Sequence, residues 1–296
     1  MNFFESILMG LIQGLTEFLP VSSSGHLAIF KQIFGMKDVG IAFDVLLHVG
    51  TLIAVFVAFH KDIWELIVNA FGIIADVFRN IVIFFKNFSK RKLLTEKKTK
   101  YIKVISTPYR RFVMLVLVST IPTGIMGIVF SDIIENASAA LIIPGICLLI
   151  TGVLLLIADN TPAGDKDETT VSYKNAFGIG VCQGFATLPG ISRSGTTIVA
   201  CLVSKIDKTF AVKYSFIMSI PAVLGAAVLQ LPDLAGESNS GGDIACYIAG
   251  MAVAAVVGYI CIKTMLNVVR KQKFKYFAYY CFAVGIISII TFFVKL

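Results

Sequence analysis

Charged residues are scarce in this chain of 296 residues, where they make up only 15% of the sequence. Hydrophobic residues reach 57%, and the mean hydropathy is +0.85. A soluble fold of this length does not need so much apolar sequence for its core. Several apolar runs are also long enough to cross the roughly 30 Å of hydrocarbon in a bilayer. The composition therefore excludes an ordinary soluble protein and predicts an all-α polytopic membrane protein.

Cysteine pairs with metal-type spacing are missing as well. The six cysteines lie in apolar runs without a CxxC pair, which favours a role as small buried side chains. The N-terminal segment lacks a basic region and carries Glu5, so we do not expect a cleavable signal peptide there.

Basic residues are unevenly distributed, although the net charge is +8. Residues 86–111 hold ten Lys or Arg against one acid, and residues 263–275 hold five, whereas 132–138 and 232–242 hold none. Positive loops of membrane proteins remain in the cytoplasm and attract anionic lipid. The pattern therefore assigns both basic loops to the cytoplasm and argues against nucleic acid as a partner.

Six apolar stretches have the length of a membrane span. They are residues 40–59, 112–131, 139–158, 209–231, 243–262 and 276–296. Two further stretches, 2–36 and 173–206, are apolar on both sides of a polar centre rich in Pro, Gly and Ser. Each half is too short to cross a bilayer comfortably, so each stretch is predicted to be a re-entrant helical hairpin.

The two hairpin centres resemble each other. Residues 13–25 (QGLTEFLPVSSSG) align without gaps with residues 183–195 (QGFATLPGISRSG), and five positions are identical. Each hairpin precedes three predicted spans. Together with the loop charges, this order predicts two inverted-topology repeats, 1–158 and 173–296, in a single integral membrane domain.

Residues 60–85 carry a polar stripe at helical spacing, formed by Asp62, Glu65, Asn69, Asp76 and Arg79. We interpret this stretch as an amphipathic helix on the inner interface. The alternative is a seventh span, which would reverse the orientation and move the first hairpin to the inner side.

The hairpin centres hold the residue types that bind phosphate. After Pro20, the run from Val21 to Gly25 supplies three hydroxyls and a new helix N-terminus, which suits a phosphate oxyanion. The second centre supplies the same elements and adds Arg193, whose forked donors match phosphate geometry.

Ionisable groups at membrane depth are functional candidates by default. Glu17 would repel phosphate unless it binds a divalent cation or takes a proton, so it is a metal ligand or a general base. His26 is an acid, a base or a nucleophile, and Gln13 lies one turn before Glu17 as its support. Asp44 and His48 are interpreted as interfacial, with a supporting role as the alternative.

Two segments carry a resemblance to a known family. Residues 13–26 contain Gln-x-x-x-Glu followed by Pro-Val-Ser-Ser-Ser-Gly-His, and residues 189–197 contain Pro-Gly-x-Ser-Arg-Ser-Gly-x-Thr. Over nearly its whole length the chain resembles the integral-membrane undecaprenyl-diphosphate phosphatases of the bacitracin-resistance type.

The resemblance implies removal of the terminal phosphate of undecaprenyl diphosphate with a divalent cation, Mg²⁺ or Ca²⁺. It places the reaction at the outer face of the bacterial plasma membrane and makes it a step in recycling the lipid carrier of cell-wall synthesis. Glu17 and His26 would be catalytic, and Arg193 would bind phosphate.

Residues and resemblance together predict the following site. The catalytic set is Glu17, Ser23, His26 and Arg193; the phosphate-binding set is Ser22, Ser24, Gly25, Ser192, Ser194 and Thr197; the supporting pair is Gln13 and Gln183. Glu17 is also the predicted metal ligand. Gln13 gives a metal one negative charge fewer than a glutamate would.

The basic stretch 86–111 is longer than the family leads us to expect, and our hypothesis is that it anchors the protein to the inner leaflet.

Alternatives remain at this stage. A transporter that moves a polyprenyl phosphate across the bilayer would use similar repeats and similar residues. An acid-phosphatase-type enzyme is excluded because Val199, not a histidine, follows Arg193 at the required distance. The attacking group (Ser23, His26 or water), the cation and the substrate chain length stay open. The expected partners are the lipid substrate and membrane lipids, and a homo-oligomer is compatible with the sequence.

Overall fold

A computed structural model describes residues 2–35, 41–90, 98–138, 142–235 and 241–294, and these residues are helical apart from short connections. The helices are α1 Phe3–Phe18, α2 Ser23–Ile33, α3 Ile41–Ala58, α4 His60–Lys90, α5 Pro108–Val129, α6 Ser131–Ser138, α7 Ile142–Asn160, α8 Tyr173–Phe185, α9 Arg193–Val203, α10 Lys208–Ala235, α11 Gly241–Arg270 and α12 Lys275–Val294. The all-α prediction is confirmed.

Helix starts follow local capping chemistry. Asn2 caps α1 in a capping box with Glu5, in which each side chain bonds the other residue's backbone N–H. Thr107 caps α5 just before Pro108, which fits the first turn because it needs no N–H there. Ser172 caps α8 in the same way. The ends of these helices are therefore encoded in the adjacent sequence.

Six helices within the described residues are long and apolar enough to cross a membrane. They cover His60–Phe88, Pro108–Val129, Ile142–Asn160, Lys208–Gln230, Ile244–Arg270 and Lys275–Val294. Five of them overlap predicted spans, and the chain is a multi-pass membrane protein. The predicted first span, 40–59, forms a shorter apolar helix over Ala42–Ala58, and its residue 40 lies outside the described residues.

Helix α4 differs in extent from the prediction. It continues to Lys90, beyond the expected end at 85, and α5 begins at Pro108. Both ends of the predicted loop 86–111 are therefore helical. Residues 91–97 of that loop lie outside the described residues. Length and composition also allow α4 to span a membrane. The interfacial helix therefore stays a prediction.

Polar side chains of α4, among them Asp76 of the predicted stripe, contact the chain itself. Asn80 donates to Ile102 O and accepts from Ile102 N, both at 2.8 Å, and Asn87 makes the same pair of bonds with Thr99, both at 2.9 Å. Asp76 is buried and accepts from Arg110 Nη1 at 2.6 Å. Side-chain amides thus fix the extended segment 98–107 along α4, because each amide satisfies both backbone groups of one residue.

Helix packing exchanges partners between the two halves of the chain. Helix α1 contacts α11, where Gly10 meets the backbone of Gly250, and α8 contacts α5, where Gly180 meets the backbone of Ser119. Helix α7 lies along α12. The first helix of each predicted hairpin therefore packs on a long helix from the other half, which holds the two hairpins in one body.

The linker between the halves is ordered. Asp167 Oδ1 accepts hydrogen bonds from the backbone and the hydroxyl of both Thr169 and Thr170. These bonds, led by that of the Thr169 hydroxyl, hold the pKa of the Asp167 carboxyl below its usual value. Lys166 N and O also bond the backbone of Lys205 and Asp207 at 3.1 and 2.8 Å. The linker is thereby tied to the end of α9.

Candidate active site

The first tip joins α1 to α2 through residues 19–22. Leu19 is extended, as expected for a residue before proline, and this ends α1 ahead of Pro20. Ser22 caps α2 by accepting from Gly25 N at 3.2 Å. The Ser22 backbone has φ +70°, which is uncommon for a residue with a β-carbon, and such strain concentrates at functional sites.

The second tip joins α8 to α9 through residues 186–192. Ser192 caps α9 by accepting from Gly195 N at 3.1 Å, as Ser22 does for α2. Gly190 has φ +95°, a conformation that glycine adopts without steric cost. Thr151 of α7 accepts from Ser192 N at 3.0 Å and donates to Gly190 O at 3.2 Å. Helix α7 therefore supports this tip directly.

The tips touch through corresponding residues. A β-carbon on Gly25 would lie 3.0 Å from Gly190 Cα, and one on Gly195 would lie 3.1 Å from Pro20 Cβ. Gly190 N donates to Ser24 Oγ at 3.3 Å, and Ser194 Oγ donates to Leu19 O at 3.4 Å. The contacts are reciprocal between the aligned segments, and they bring both helix N-termini to one place.

Glu17 lies at the centre of the joined tips and is 7% exposed. Its Oε1 accepts from Arg193 Nη2 of the second tip, and its Oε2 accepts from Ser23 Oγ of the first. Gln13 Nε2 also donates to Oε2, at 3.2 Å. Three of the four predicted catalytic residues are therefore in direct contact, and the carboxylate is aligned to take a proton from the Ser23 hydroxyl.

Polar atoms beside Glu17 remain unpaired. Gln13 Oε1 and Arg193 Nη1 are buried and have no hydrogen-bond partner within the described part of the chain. A cavity of about 10 Å³ adjoins Glu17 and Arg193, with room for about one water. It is lined by Glu17, Phe18, Arg193, Ser194, Thr197, Ser215, Phe216 and Ser219. Unsatisfied buried polar groups cost free energy, so the Gln13 oxygen and the Arg193 nitrogen are candidates to bind a ligand.

His26 stands apart from the Glu17 cluster. Its Nδ1 lies 2.7 Å from Ser22 O, and its Nε2 lies 2.8 Å from the hydroxyl of Tyr280 in α12. The ring is buried. No hydrogen bond is described between this ring and Ser23 or Glu17. His26 therefore lies beside the first tip, but neither ring nitrogen contacts Ser23.

The remaining predicted hydroxyls mostly bond within the tips. Ser192 caps its helix, Ser22 Oγ lies 3.3 Å from Ser24 Oγ, and Ser192 Oγ lies 3.4 Å from Ser194 Oγ. Thr197 donates to Arg193 O at 2.9 Å and lies 2.5 Å from Ser215 Oγ of α10. These contacts fix the backbone that carries Arg193.

Gln183 does not join the site centre. Its Nε2 donates to Thr123 Oγ1 of α5 at 3.2 Å, and its Oε1 is buried without a partner among the described residues. Gln183 therefore aligns with Gln13 in sequence, but it does not contact Glu17.

One residue near the site was missed by sequence reasoning. Tyr280 gave no signal, because a tyrosine in a final span is ordinary. Asp44 pairs with Lys31 at 2.5 Å, and its backbone oxygen lies 2.8 Å from His48 Nδ1. The interfacial interpretation of Asp44 and His48 stays a prediction.

The donors around Glu17 fit a hard cation only with help from a substrate. No group of three His, Cys, Asp or Glu gathers anywhere in the described ranges. Mg²⁺ commonly takes one or two carboxylates, with substrate phosphate oxygens and water as its other ligands. Glu17 and the unpaired Gln13 Oε1 supply two oxygens of that kind. The residues are thus compatible with a cation that binds together with a phosphate.

Fold and site together define a class: a multi-pass, all-helical membrane protein with a buried site of carboxylate, guanidinium and hydroxyl groups. The chain belongs to the family described as bacitracin resistance protein BacA, whose model matches residues 6–287.

Similar proteins cover the chain almost completely. A protein of Methanosphaera stadtmanae is 39% identical over 290 residues, which is 98% of each chain. One of Alkaliphilus metalliredigens is 39% identical over 291 residues, again 98% of each, and one of Methanobrevibacter smithii is 40% identical over 288 residues, 97% of this chain and 96% of its own. All three are named undecaprenyl-diphosphatase.

Proposed function

We propose that this protein is an undecaprenyl-diphosphatase that releases the terminal phosphate of undecaprenyl diphosphate and returns undecaprenyl phosphate to the pool of lipid carrier. The observation that carries the proposal is the contact of Glu17 with both Ser23 and Arg193 across the two tips. The names of the full-length relatives support a phosphatase and do not favour the transporter alternative.

For the reaction itself, the contacts favour Ser23 as the attacking group. The terminal phosphate would lie against Arg193, whose Nη1 is unpaired among the described residues, and against the N–H groups of the tips. Ser23 Oγ attacks phosphorus while its proton passes to Glu17. The bond from phosphorus to the bridging oxygen breaks, and undecaprenyl phosphate leaves. Water then attacks the seryl phosphate, the bond from phosphorus to Ser23 Oγ breaks, and Glu17 returns its proton to that oxygen, which restores Ser23 and gives inorganic phosphate.

His26 would assist through proton transfer and not as the nucleophile. Its Nδ1 is engaged by the Ser22 carbonyl oxygen and its Nε2 by Tyr280, so neither nitrogen is free to approach phosphorus in this arrangement. Proton exchange between Nε2 and the leaving phosphate then requires the hydrogen bond to Tyr280 to open when substrate binds.

A divalent cation, Mg²⁺ or Ca²⁺, would be held by Glu17 and Gln13 Oε1 together with substrate oxygens. When bound, it would offset the charge of the diphosphate. The unpaired Gln13 oxygen supports this assignment. With a neutral amide at position 13, the protein supplies only one formal negative charge to the cation from this pair.

The arrangement in the membrane is also a proposal. We infer two inverted-topology repeats, each with a re-entrant hairpin, α1–α2 and α8–α9, that opens the site toward the outer face of the plasma membrane. The exchanged packing of α1 on α11 and of α8 on α5 supports the repeats, as do the reciprocal contacts of the tips. The basic loops support the orientation.

The test measures phosphate release and lipid flipping separately in liposomes that contain purified protein. We expect phosphate release from undecaprenyl diphosphate that stops with a chelator. We also expect Ser23→Ala to abolish release and to prevent trapping of a phosphorylated protein in acid-quenched reactions. Flipping without phosphate release would refute the proposed function. Normal release by Ser23→Ala would refute Ser23 as the nucleophile and leave the function standing.

A further inference from the structure

Tyr280, which lies outside the two tips, directly contacts a predicted catalytic side chain. Its hydroxyl lies 2.8 Å from His26 Nε2, and the planes of the two rings are nearly parallel, with an interplanar angle of 5° and centroids 5.5 Å apart. It comes from α12, at the opposite end of the chain. In the same helix, the buried Cys281 lies near Pro20 O at 3.8 Å. Helix α12 therefore meets the first tip at two adjacent residues.

The contact at the other ring nitrogen decides the tautomer of His26. Ser22 O lies 2.7 Å from Nδ1, and a carbonyl oxygen only accepts hydrogen bonds. Nδ1 therefore carries a proton. In the neutral ring the lone pair then lies on Nε2, so the Tyr280 hydroxyl is the donor in that hydrogen bond. The Ser22 contact alone sets the tautomer, and the Tyr280 hydroxyl, which can donate or accept, is compatible with it.

We propose that Tyr280 is a positioning residue for His26: its hydroxyl fixes the plane of the ring and keeps Nε2 as the basic nitrogen. The Ser22 carbonyl alone orients one edge of the imidazole, and the ring could still tilt about that bond. A second hydrogen bond at the opposite edge removes this freedom. It also satisfies a buried lone pair that would otherwise be costly.

The proposal rests on the proposed role of His26 in proton transfer. Proton transfer is efficient only when the donor and acceptor atoms are held at hydrogen-bond distance from the reacting group. Because Tyr280 contacts the imidazole and not the Glu17 cluster, losing its hydroxyl should lower kcat and leave KM nearly unchanged. Loss of one neutral hydrogen bond corresponds to a decrease in kcat of about three- to tenfold.

The experiment compares Tyr280→Phe with Tyr279→Phe in otherwise native full-length protein. The first change removes the hydroxyl and keeps the ring. The second makes the same change on the neighbouring residue, which is 59% exposed. The chain has only three histidines, so a ¹⁵N-histidine spectrum has three imidazoles to assign, with His48→Asn and His60→Asn variants identifying the other two.

We expect the native His26 to show a protonated Nδ1 and an unprotonated Nε2. In Tyr280→Phe, the Nε2 resonance should shift and kcat should fall, while Tyr279→Phe changes neither. A native His26 protonated at Nε2 in its neutral form would overturn the proposal. So would a Tyr280→Phe variant in which either kcat or the His26 resonances are unchanged.

The proposed role of His26 is tested separately by His26→Ala, and the phosphatase function by phosphate release from the native protein. If His26→Ala retained full activity, the role of His26 would be wrong whatever its tautomer. If His26→Ala lost activity while Tyr280→Phe kept native kcat, only the role of Tyr280 would be wrong.

Discussion

The two hairpin tips share the cap of the helix that follows but differ in their connecting backbone and in their chemistry. Ser22 and Ser192 cap the following helices through the same bond to a glycine N–H. The side chains that follow differ: Ser23 aligns with Arg193, and His26 aligns with Thr196. The shared helix cap therefore leaves the side chains at other positions free to diverge. One tip carries the carboxylate, the proposed nucleophilic hydroxyl and the imidazole, and the other carries the guanidinium.

Position 17 shows how far this divergence goes. Glu17 reaches across to the other tip and bonds Arg193, whereas its counterpart Thr187 donates to Gly184 O of its own helix at 2.7 Å. Thr196, the counterpart of His26, has a buried hydroxyl without a partner among the described residues. At these two aligned positions the second tip therefore carries threonines, and it has neither the carboxylate nor the imidazole of the first tip.

The largest effect is expected from Glu17→Gln. The amide cannot take the Ser23 proton and leaves the Arg193 charge unneutralised in a buried site, so phosphate release should fall by about 100- to 10,000-fold. The matched change Thr187→Ala in the other tip should keep near-native activity in the same phosphate-release assay. Equal losses in both variants would contradict the division of roles between the tips.

Arg193→Lys is the next test of that division. Lysine keeps the charge but loses the forked donors, one of which bonds Glu17 while the other is unpaired in the described structure. We expect kcat/KM to fall by about 10- to 100-fold, equivalent to one or two charge-assisted hydrogen bonds. Arg79→Lys, on the exposed side of α4, serves as the control and should be unchanged. Native kinetics in Arg193→Lys would show that charge alone suffices.

Gly190→Ala tests whether the second tip depends on its backbone. The residue has φ +95°, and an added β-carbon would collide with the Pro144 backbone of α7. The conformational cost alone is about 1–2 kcal/mol, and the collision adds to it. Thermal unfolding in detergent should show lower stability than for Gly178→Ala, where the added carbon meets open space. Equal melting temperatures of the two variants would show that the second tip does not require glycine at position 190.

Gln13→Glu should have the smallest effect. A second carboxylate beside Glu17 raises the negative charge available to a cation, and we expect half-maximal activity at about fivefold lower Mg²⁺ or Ca²⁺ concentration. Gln183→Glu is the matched control, since Gln183 bonds Thr123 away from the site centre. An identical cation dependence in both variants would remove position 13 from the proposed cation site.

Local patterns predicted much of this molecule correctly. The capping serines, Pro20 and the glycines indicated two helix–turn–helix tips, and α2 and α9 begin at the residues that follow Ser22 and Ser192. The stripe on α4 was visible as well. Its interpretation as an interfacial helix stays a prediction. The segment 98–107 along α4 was not predicted, because a polar helix face has the same periodicity whether it bonds water or backbone.

Contacts between distant elements were not predictable in the same way. Gln13 and Gln183 are identical in sequence and aligned, yet only Gln13 bonds Glu17. Tyr280 is 254 residues away from His26 along the chain. Nothing in the sequence around either residue indicates the other.

The sequence by itself determined the membrane class, the two polar tips and the residue types able to hold a phosphate, because composition and capping act over a few neighbouring residues. Only the tertiary structure decided which of those side chains meet. The exchanged packing of the halves brings Arg193 to Glu17 and α12 to His26. These pairings depend on how whole helices pack, and short-range sequence patterns do not specify that.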